Sequence, residues 1–540
     1  MTRMKPLALG ILLTLSAAAP AFGADTGAES PKPPSGEAAA VAVLQRAAEK
    51  GDLPMVRELL AGKEVDIDAR DDYRATALHW AARGGHLAVI DLLLEKGAEV
   101  EARDRDGDTP LLVAAKFGQL EAMKRLHAAG ASLLAEDRNG GTPLMWAAYQ
   151  GHVPVMEWLV AQGADVNARD DDGATALIIA AHAGREKAVD FLLEHGAAVN
   201  LADEFGNTAL LAAARKGNDR LVRRLLAAGA RIDVEDNEHH SPLFHALREG
   251  HIEVVKLLLD HGADIETPMV YRATPLMLAA ASGHAELVRE LLRRGARLEA
   301  RDEVGMTALI YAARAGKNDI VSLLLDKGAK IDAADRNRRT ALLNAATLGN
   351  TALVKLLAKR GADLEHQDQM GRTALIQAAE AVRTDTVLAL LELGAKVDAR
   401  DKDGKTALML AAFRGARQIA EALLEHGADI DAVNHGNASA LMFAAAAGRI
   451  HMVELLLGRK ADPNIRDTNG RSALTYASAR GFLKIATLLV EAGADVNIAD
   501  KDGKTPLTYA MEEDHQKLVE MLRSHGARIP EDLAQLNPAD

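Results

Sequence analysis

Apolar residues recur along this chain in a block of 33 residues, and the block repeats without an insertion or a deletion. Each block begins with Thr or Ser, followed two residues later by Leu and five residues later by Ala. A further Leu stands at offset 17 and a further Ala at offset 22. The hydroxyl residues that open the blocks are Thr76, Thr109, Thr142, Thr175, Thr208, Ser241, Thr274, Thr307, Thr340, Thr373, Thr406, Ser439, Ser472 and Thr505.

The apolar spacing within one block predicts two short helices, because Leu and an Ala pair recur at helical intervals. The opening Thr or Ser stands where its hydroxyl can cap the first helix. A Gly between the two helices, such as Gly118, suits a left-handed helix terminator. One such pair of helices cannot bury its own apolar surface. The pattern therefore predicts a linear stack that is stabilised by contacts between neighbouring blocks.

The block resembles the ankyrin repeat. Asp172 to Asp203 read DGATALIIAAHAGREKAVDFLLEHGAAVNLAD, with a Gly-containing tip, a T-x-L helix start, a Gly turn, an L-L second helix and a final G-A. The resemblance covers about residues 38–529 and gives about fifteen repeats, with the first and the last acting as caps. It implies an all-α fold of helix-turn-helix repeats with short β-hairpin-like loops, an ankyrin-repeat solenoid in the form of a curved superhelical rod.

The ends of the chain depart from the repeat. Residues 1–23 combine a basic start, an apolar run over Leu7 to Leu15 and small residues up to Gly23, a pattern that predicts a signal peptide cleaved after Gly23 or Ala24. The alternative is an uncleaved membrane anchor, although the apolar run is short for a span. Residues 24–37 are polar and Pro-rich and predict a flexible leader, and residues 530–540 form a C-terminal tail.

Composition and charge limit the cellular compartments and the classes of partner that fit this chain. The chain has no cysteine, which excludes disulfides and Cys-based zinc sites. Together with the signal peptide this predicts an exported protein, in a bacterial periplasm first and secreted second, without membrane insertion after signal cleavage. The net charge of −13 argues against sequence-independent nucleic-acid binding. We expect a monomer.

The resemblance also implies where a partner would bind. Ankyrin-repeat proteins usually hold a partner on the concave side, which the hairpin tips and the first helices form. We expect candidates four, three and one residues before each opening hydroxyl, and seven and eight residues after it. Exposed aromatic residues at such positions are typical interface anchors, although they can instead be partly buried between repeats. The aromatic candidates are Tyr73, Phe117, Tyr149, Tyr271 and Phe413.

Basic residues occupy the same positions on successive repeats of the C-terminal half. We name this set the basic strip, and it consists of Arg336, Arg339, Arg372, Lys402, Lys405 and Arg414. It would suit an acidic peptide or protein surface, because arginine binds carboxylates through two hydrogen bonds. The alternative is a solvated surface whose charges form salt bridges with Asp335, Asp368, Asp401 and Asp403.

Some repeats lack a glycine that the others have. At the hairpin tip the replacements are Arg74, His239, Arg272, Arg338 and Asn437, and Val382 replaces the Gly between two helices. A side chain is strained where the backbone needs a positive φ. We therefore expect these tips to relax to another turn type. The alternative is that the three arginines are binding tips.

Residues that could carry chemistry are few. The densest histidine group is His239, His240, His245 and His251. Zinc needs three or four ligands within reach, but His251 occupies a common position of the ankyrin repeat, and His239 and His240 are expected to point apart. Motifs for catalytic triads, phosphate loops and dinucleotides are missing from the sequence. We therefore expect no metal, no cofactor and no enzymatic activity.

The sequence thus predicts a non-catalytic scaffold or inhibitor that holds another protein on its concave surface, in the periplasm or outside the cell. The alternative is a structural spacer or stabiliser of the cell envelope without a single dedicated partner.

Overall fold

The computed structural model describes residues 37–61 and 65–529. The predicted signal peptide, the leader up to residue 36 and the C-terminal tail lie outside the described residues. The first helix begins at Glu37, the residue at which the predicted leader ends. The described ranges contain thirty α-helices and one 3₁₀ helix at Val270–Arg272, and their only extended pairings are two isolated bridges. None of these helices combines the length and the apolar character needed to cross a bilayer.

The thirty helices form fifteen pairs, one pair for each predicted repeat. The first helices are Glu37–Lys50, Ala77–Gly84, Pro110–Lys116, Pro143–Gln150, Ala176–His182, Ala209–Lys216, Pro242–Glu249, Pro275–Ser282, Ala308–Arg314, Ala341–Leu348, Ala374–Glu380, Ala407–Arg414, Ala440–Ala446, Ala473–Ala479 and Pro506–Glu512. The second helices are Leu53–Ala61, Leu87–Glu95, Leu120–Ala128, Val153–Ala161, Glu186–Glu194, Asp219–Ala227, Ile252–Asp260, Ala285–Arg293, Asn318–Asp326, Thr351–Lys359, Thr384–Glu392, Arg417–Glu425, Ile450–Gly458, Leu483–Glu491 and Gln516–Ser524.

The opening hydroxyls cap the first helices, as the sequence predicts. In twelve of the fourteen repeats that open with Thr or Ser, this side chain accepts a hydrogen bond from the backbone N–H three residues on, as Thr109 does from Leu112 at 3.3 Å. The exceptions are Thr307, which makes no such bond, and Thr76, whose hydroxyl pairs with the His79 ring. An N-cap of this kind contributes about 1 kcal/mol to the stability of its helix.

Two compact units make up the chain, Met1–Val270 and Tyr271–Asp540. Inside each unit, a first helix packs on the first helices of adjacent repeats and on its own second helix. The repeated Leu and Ala positions form these contacts, and Leu78, Ala81 and Leu93 are fully buried at 0 % exposure. Burying a leucine contributes roughly 1.5–3 kcal/mol. The apolar core therefore runs between the helix layers of every repeat.

Backbone hydrogen bonds join the hairpin tips of consecutive repeats within each unit. The N–H of Arg105 donates to the carbonyl of Tyr73 at 2.7 Å, and the N–H of Arg138 donates to the carbonyl of Asp106 at 2.9 Å. The same bond recurs at later tips, for example from Arg336 to Val304 at 2.9 Å. These bonds fix the register between adjacent tips.

Tips without glycine keep the left-handed conformation, so the expectation that they relax to another turn type is wrong. The φ angles are 59° at Arg74, 61° at His239, 59° at Arg272, 59° at Arg338 and 57° at Asn437. Two backbone hydrogen bonds across the turn hold this conformation. In the first of these tips the N–H of Arg74 donates to Asp71 O at 2.8 Å, and the N–H of Asp71 donates to Ala75 O at 3.1 Å.

Val382 is left-handed too, with φ 56° between the two helices of its repeat. Glycine is also favoured at this position for steric reasons. A Cβ on Gly349 would lie 2.8 Å from Arg383 Cδ of the next repeat. One repeat later, the residue that corresponds to Arg383 is Ala416. The short side chain of Ala416 leaves room for the side chain of Val382. The fold still forces Val382 into a left-handed backbone conformation that valine disfavours.

Candidate functional site

A buried or half-buried aspartate stands at the base of most hairpin tips, five residues before the opening hydroxyl. Asp137 shows its two roles. Its Oδ1 accepts the backbone N–H groups of Asn139 at 2.9 Å and Gly141 at 2.8 Å, and its Oδ2 accepts the indole N–H of Trp146 at 2.7 Å. Both oxygens of one carboxylate therefore tie the tip to the first helix of the same repeat.

The side chain that occupies the second oxygen lies nine residues after the aspartate, and its type varies between repeats. These side chains are Trp80, Trp146, His245, Tyr311, Gln377, Tyr476 and Tyr509, which pair with Asp71, Asp137, Asp236, Asp302, Asp368, Asp467 and Asp500 at 2.6–2.9 Å. The tips are thereby held as rigid supports for the residues that project from them.

Of the aromatic candidates in the first unit, Tyr73 and Phe117 are accessible and Tyr149 is half-buried. Tyr73 is 52 % exposed at a tip, and Phe117 is 43 % exposed. The guanidinium carbon of Arg83 lies 4.8 Å from the centroid of the Phe117 ring, and Tyr149 packs edge-on against Trp146 at 6.1 Å. Tyr149 is thus partly covered by a ring of its own helix.

Both aromatic candidates in the second unit are accessible. Tyr271 is 73 % exposed and has a φ of 57°. Phe413 is 45 % exposed, with its ring edge-on to Phe443 at 6.5 Å.

Three members of the basic strip are held by their own fold. Arg372 bonds Asp368 and Glu380, each at 3.0 Å, and Lys405 bonds Asp403 at 2.8 Å. The third, Arg339, is half-buried, donates to Thr347 Oγ1 at 2.9 Å and to Gln377 Oε1 at 3.3 Å, and has its pKa lowered by burial. Arg372 and Lys405 thus form salt bridges with Asp368 and Asp403, as the alternative describes, whereas Arg339 bonds neutral side chains.

The other three members of the basic strip are exposed. Arg336, Lys402 and Arg414 form no ion pair with any residue that the structure describes. The basic strip therefore divides into a structural half and an accessible half. The acidic neighbours divide as well, because Asp335 and Asp401 accept backbone N–H groups of their own tips.

Apolar side chains at the tips extend the candidate surface beyond the residues that the sequence analysis selected. Phe205, Val304 and Met370 are 46 %, 44 % and 53 % exposed. Each stands three residues before the opening hydroxyl, at the repeat position of Tyr73 and Tyr271. That shared position is the signal that could have identified them.

Three of these residues lie along one row of tips in the second unit, and we name them the tip patch: Tyr271, Val304 and Met370. Four consecutive tips carry Tyr271, Val304, Asn337 and Met370. Backbone bonds accepted by their carbonyls link each of these tips to the next, at 3.0, 2.9, 2.8 and 2.9 Å. The exposed Arg336 lies beside this row.

The histidine group separates largely as expected. His251 pairs with the carbonyl of Arg215 at 3.1 Å, and His239, whose side chain is 85 % exposed, pairs with Glu235 at 3.2 Å. His240 and His245 instead come close to Asp236, a residue that the analysis of histidines alone had left out.

Helix pairs, capped first helices and hydrogen-bonded tips together define a helical-repeat solenoid. A family model described as ankyrin repeats (3 copies) matches residues 44–137, 112–203, 198–269, 266–335, 330–401, 385–467 and 441–531. The chain belongs to this family. Ankyrin repeats are generally protein–protein interaction modules, and the proteins that contain them are typically non-catalytic binding scaffolds.

Among solved structures, the chain is similar to the crystal structure of the ankyrin repeat domain of Bcl-3, a unique member of the IkappaB protein family. The sequence identity is 33 %, the TM-score is 0.37, and the match covers 41 % of this chain and 99 % of that one. The search of curated proteins gave no match.

Proposed function

We propose that this protein is a non-catalytic scaffold or inhibitor that holds a partner protein on its hairpin tips and first helices. The observation that carries the proposal is the tip patch, where Tyr271, Val304 and Met370 expose 73 %, 44 % and 53 % of their surface. Large apolar side chains on a preorganised backbone bind a partner at little ordering cost.

The charges beside the tip patch indicate what kind of partner would fit. Arg336 and Lys402 are exposed at the tips that follow Val304 and Met370, in a chain whose net charge is −13. Complementary charges steer association and select partners. The partner that fits is a protein segment that combines apolar side chains with acidic ones.

We further propose that the protein acts outside the cytoplasm, in a bacterial periplasm or, second, as a secreted protein. This rests on the signal-peptide pattern of residues 1–23. In that setting it would act as a monomer.

The test is crosslinking and affinity capture from the cell envelope of the native organism, followed by direct titration of the captured protein. The variant is the triple substitution Tyr271→Ser, Val304→Ser and Met370→Ser. Leu388→Ser is the matched control, because Leu388 is 39 % exposed but lies on a second helix. Arg339 and Arg372 are unsuitable targets, because Arg339 bonds Gln377 of the next repeat and Arg372 bonds Asp368 of its own tip.

We expect one dominant partner whose affinity falls at least ~10-fold in the triple variant, a loss of about 1.4 kcal/mol, and is unchanged in the control. A dominant partner that binds the triple variant as tightly as the wild type would overturn the assignment to the tip patch. If no partner is enriched, the scaffold proposal fails and the structural spacer takes its place.

A further inference from the structure

Three side chains with metal-binding atoms converge in the repeat that Ser241 opens. Asp236 Oδ2 lies 2.9 Å from His245 Nε2, and Asp236 Oδ1 lies 3.7 Å from His240 Nδ1. One ligand atom from each residue can be chosen so that all three lie within 4.8 Å of one another. In residues 37–61 and 65–529 this is the one group of its kind.

Packing fixes the orientation of both imidazole rings. The His240 ring stacks on Phe244 with centroids 3.9 Å apart and an interplanar angle of 6°. The His245 ring is nearly perpendicular to the His240 ring, at 80° and 5.5 Å. His240 Nδ1 is buried and makes no hydrogen bond with the described residues. The fold therefore leaves the hydrogen-bonding capacity of this nitrogen unused.

The pair of Asp236 and His245 alone has a structural explanation, because other repeats place Trp, Tyr or Gln in the position of His245. The position of His240 varies between repeats. In two of them its side chain also bonds the aspartate four residues earlier, Asn207 to Asp203 and Arg372 to Asp368. Four others carry Ala75, Ala174, Ala273 and Ala438 there, so the fold does not require an imidazole at this position.

The charges around the three side chains suit a cation. Asp236 supplies one carboxylate, and its side chain is only 7 % exposed. Glu238, whose carboxylate lies 3.4 Å from His240 Nδ1, adds a further negative charge on the exposed side.

Arg215 is the group that competes with a bound cation. Its Nη2 lies 3.2 Å from His245 Nε2 and 3.7 Å from Asp236 Oδ2. The same Nη2 also donates to Asn207 Oδ1 at 3.2 Å. The guanidinium can therefore keep its hydrogen bond to Asn207 when a cation takes its place beside Asp236.

We propose that Asp236, His240 and His245 bind a zinc ion. Imidazole nitrogens and a carboxylate oxygen are ordinary zinc ligands, and three protein ligands leave one tetrahedral position for water or a carboxylate. Here that carboxylate is Glu238 or an acidic side chain of a bound protein.

The experiment is a calorimetric titration of the full chain with zinc chloride after treatment with a chelator. Each substitution introduces a residue that another repeat of this chain carries at the same position. His245→Tyr installs the donor found at Tyr311, and His240→Ala installs the residue found at Ala75. Both variants should fold, as thermal unfolding without zinc will show. His239→Ala is the matched control, because its side chain points to Glu235.

We expect one zinc ion per wild-type chain, a loss of affinity of at least ~10-fold in each of the two ligand variants, and no change in the control. Arg215→Ala should bind zinc more tightly, because the competing charge is gone. Zinc should also raise the unfolding temperature of the wild type and of Arg215→Ala. Absence of stoichiometric binding, or equal affinity in the wild type and both ligand variants, would overturn the proposal.

Discussion

Replacing Val382 by glycine should stabilise the protein. Val382 has a φ of 56°, while Gly349 and Gly415, at the same position in the neighbouring repeats, have φ angles of 80° and 75°. The left-handed region costs a residue with a Cβ roughly 1–2 kcal/mol, and a β-branched residue is an outlier there. The substitution removes this strain.

Two opposing terms reduce the expected gain. Glycine loses about 0.4–1 kcal/mol more conformational entropy on folding. The lost apolar contact is small, because Val382 is 46 % exposed and faces the short side chain of Ala416. Strain relief exceeds these terms, and we expect the free energy of unfolding to rise by about 0.5–1 kcal/mol.

The reverse substitution, Gly349→Val, is the matched control. It combines left-handed strain with a clash, because a Cβ at this position lies 2.8 Å from Arg383 Cδ. Overpacking typically costs ~1–3 kcal/mol, so the variant should lose at least ~2 kcal/mol in total. Adding Arg383→Ala should recover the clash term alone, since it reproduces the pairing of Val382 with Ala416.

The assay is urea unfolding of the full chain followed by circular dichroism at a helical wavelength. Repeat arrays can unfold in steps, so the comparison rests on the midpoint of the transition that the Gly349→Val variant shifts. An unchanged or lower midpoint for Val382→Gly would refute the strain argument. Equal midpoints for Gly349→Val with and without Arg383→Ala would refute the steric argument.

Three further substitutions test other features. Burial lowers the pKa of His182 from 6.5 to about 4, and the charges of Lys216 and Arg215 lower it further in the same direction. The neutral form of His182 therefore stabilises the fold above pH 6.5. That contribution is lost as the pH falls through 4. The wild type should therefore lose stability relative to His182→Gln across this window in urea titrations, and parallel pH profiles would contradict the assignment. Tyr476→Phe should cost ~1–3 kcal/mol, because a buried carboxylate oxygen loses the hydroxyl donor at 2.6 Å, and an unchanged denaturation midpoint would contradict this. Arg301→Ala should cost about 1 kcal/mol by removing a bond of 2.6 Å to a carbonyl of the next repeat, measurable as a lower melting temperature, and an unchanged melting temperature would contradict this role.

Helix positions could be predicted because they depend on local chemistry that recurs at fixed offsets. Thr142 caps the helix Pro143–Gln150 and Gly151 ends it with φ 83°, as the repeat pattern indicates. Both features depend only on residues of the same repeat. Helix starts and ends can therefore be predicted in every repeat that has the expected residues.

Contacts between two repeats, and contacts that depend on side-chain rotamers, could not be predicted from the pattern of one repeat. Arg339 is paired because it reaches Gln377 in the next repeat, a contact that depends on how the side chains turn. The left-handed φ of Arg338 persists because neighbouring hydrogen bonds hold the tip, whereas propensity alone favours relaxation. Asp236 stands nine residues before His245, a spacing that gains meaning only once the same bond is seen in other repeats.

The uninterrupted period of 33 residues bears on how such a chain can change in length. Joining Thr340 directly to Ala374 would remove one whole period, and Thr340 would then cap the helix that Thr373 caps now. The backbone bonds between consecutive tips connect fixed offsets, so the new neighbours would form these bonds as well. Unequal recombination within one unit can therefore shorten or lengthen the gene by whole periods while the junctions stay matched, and the number of tips can evolve separately from their chemistry.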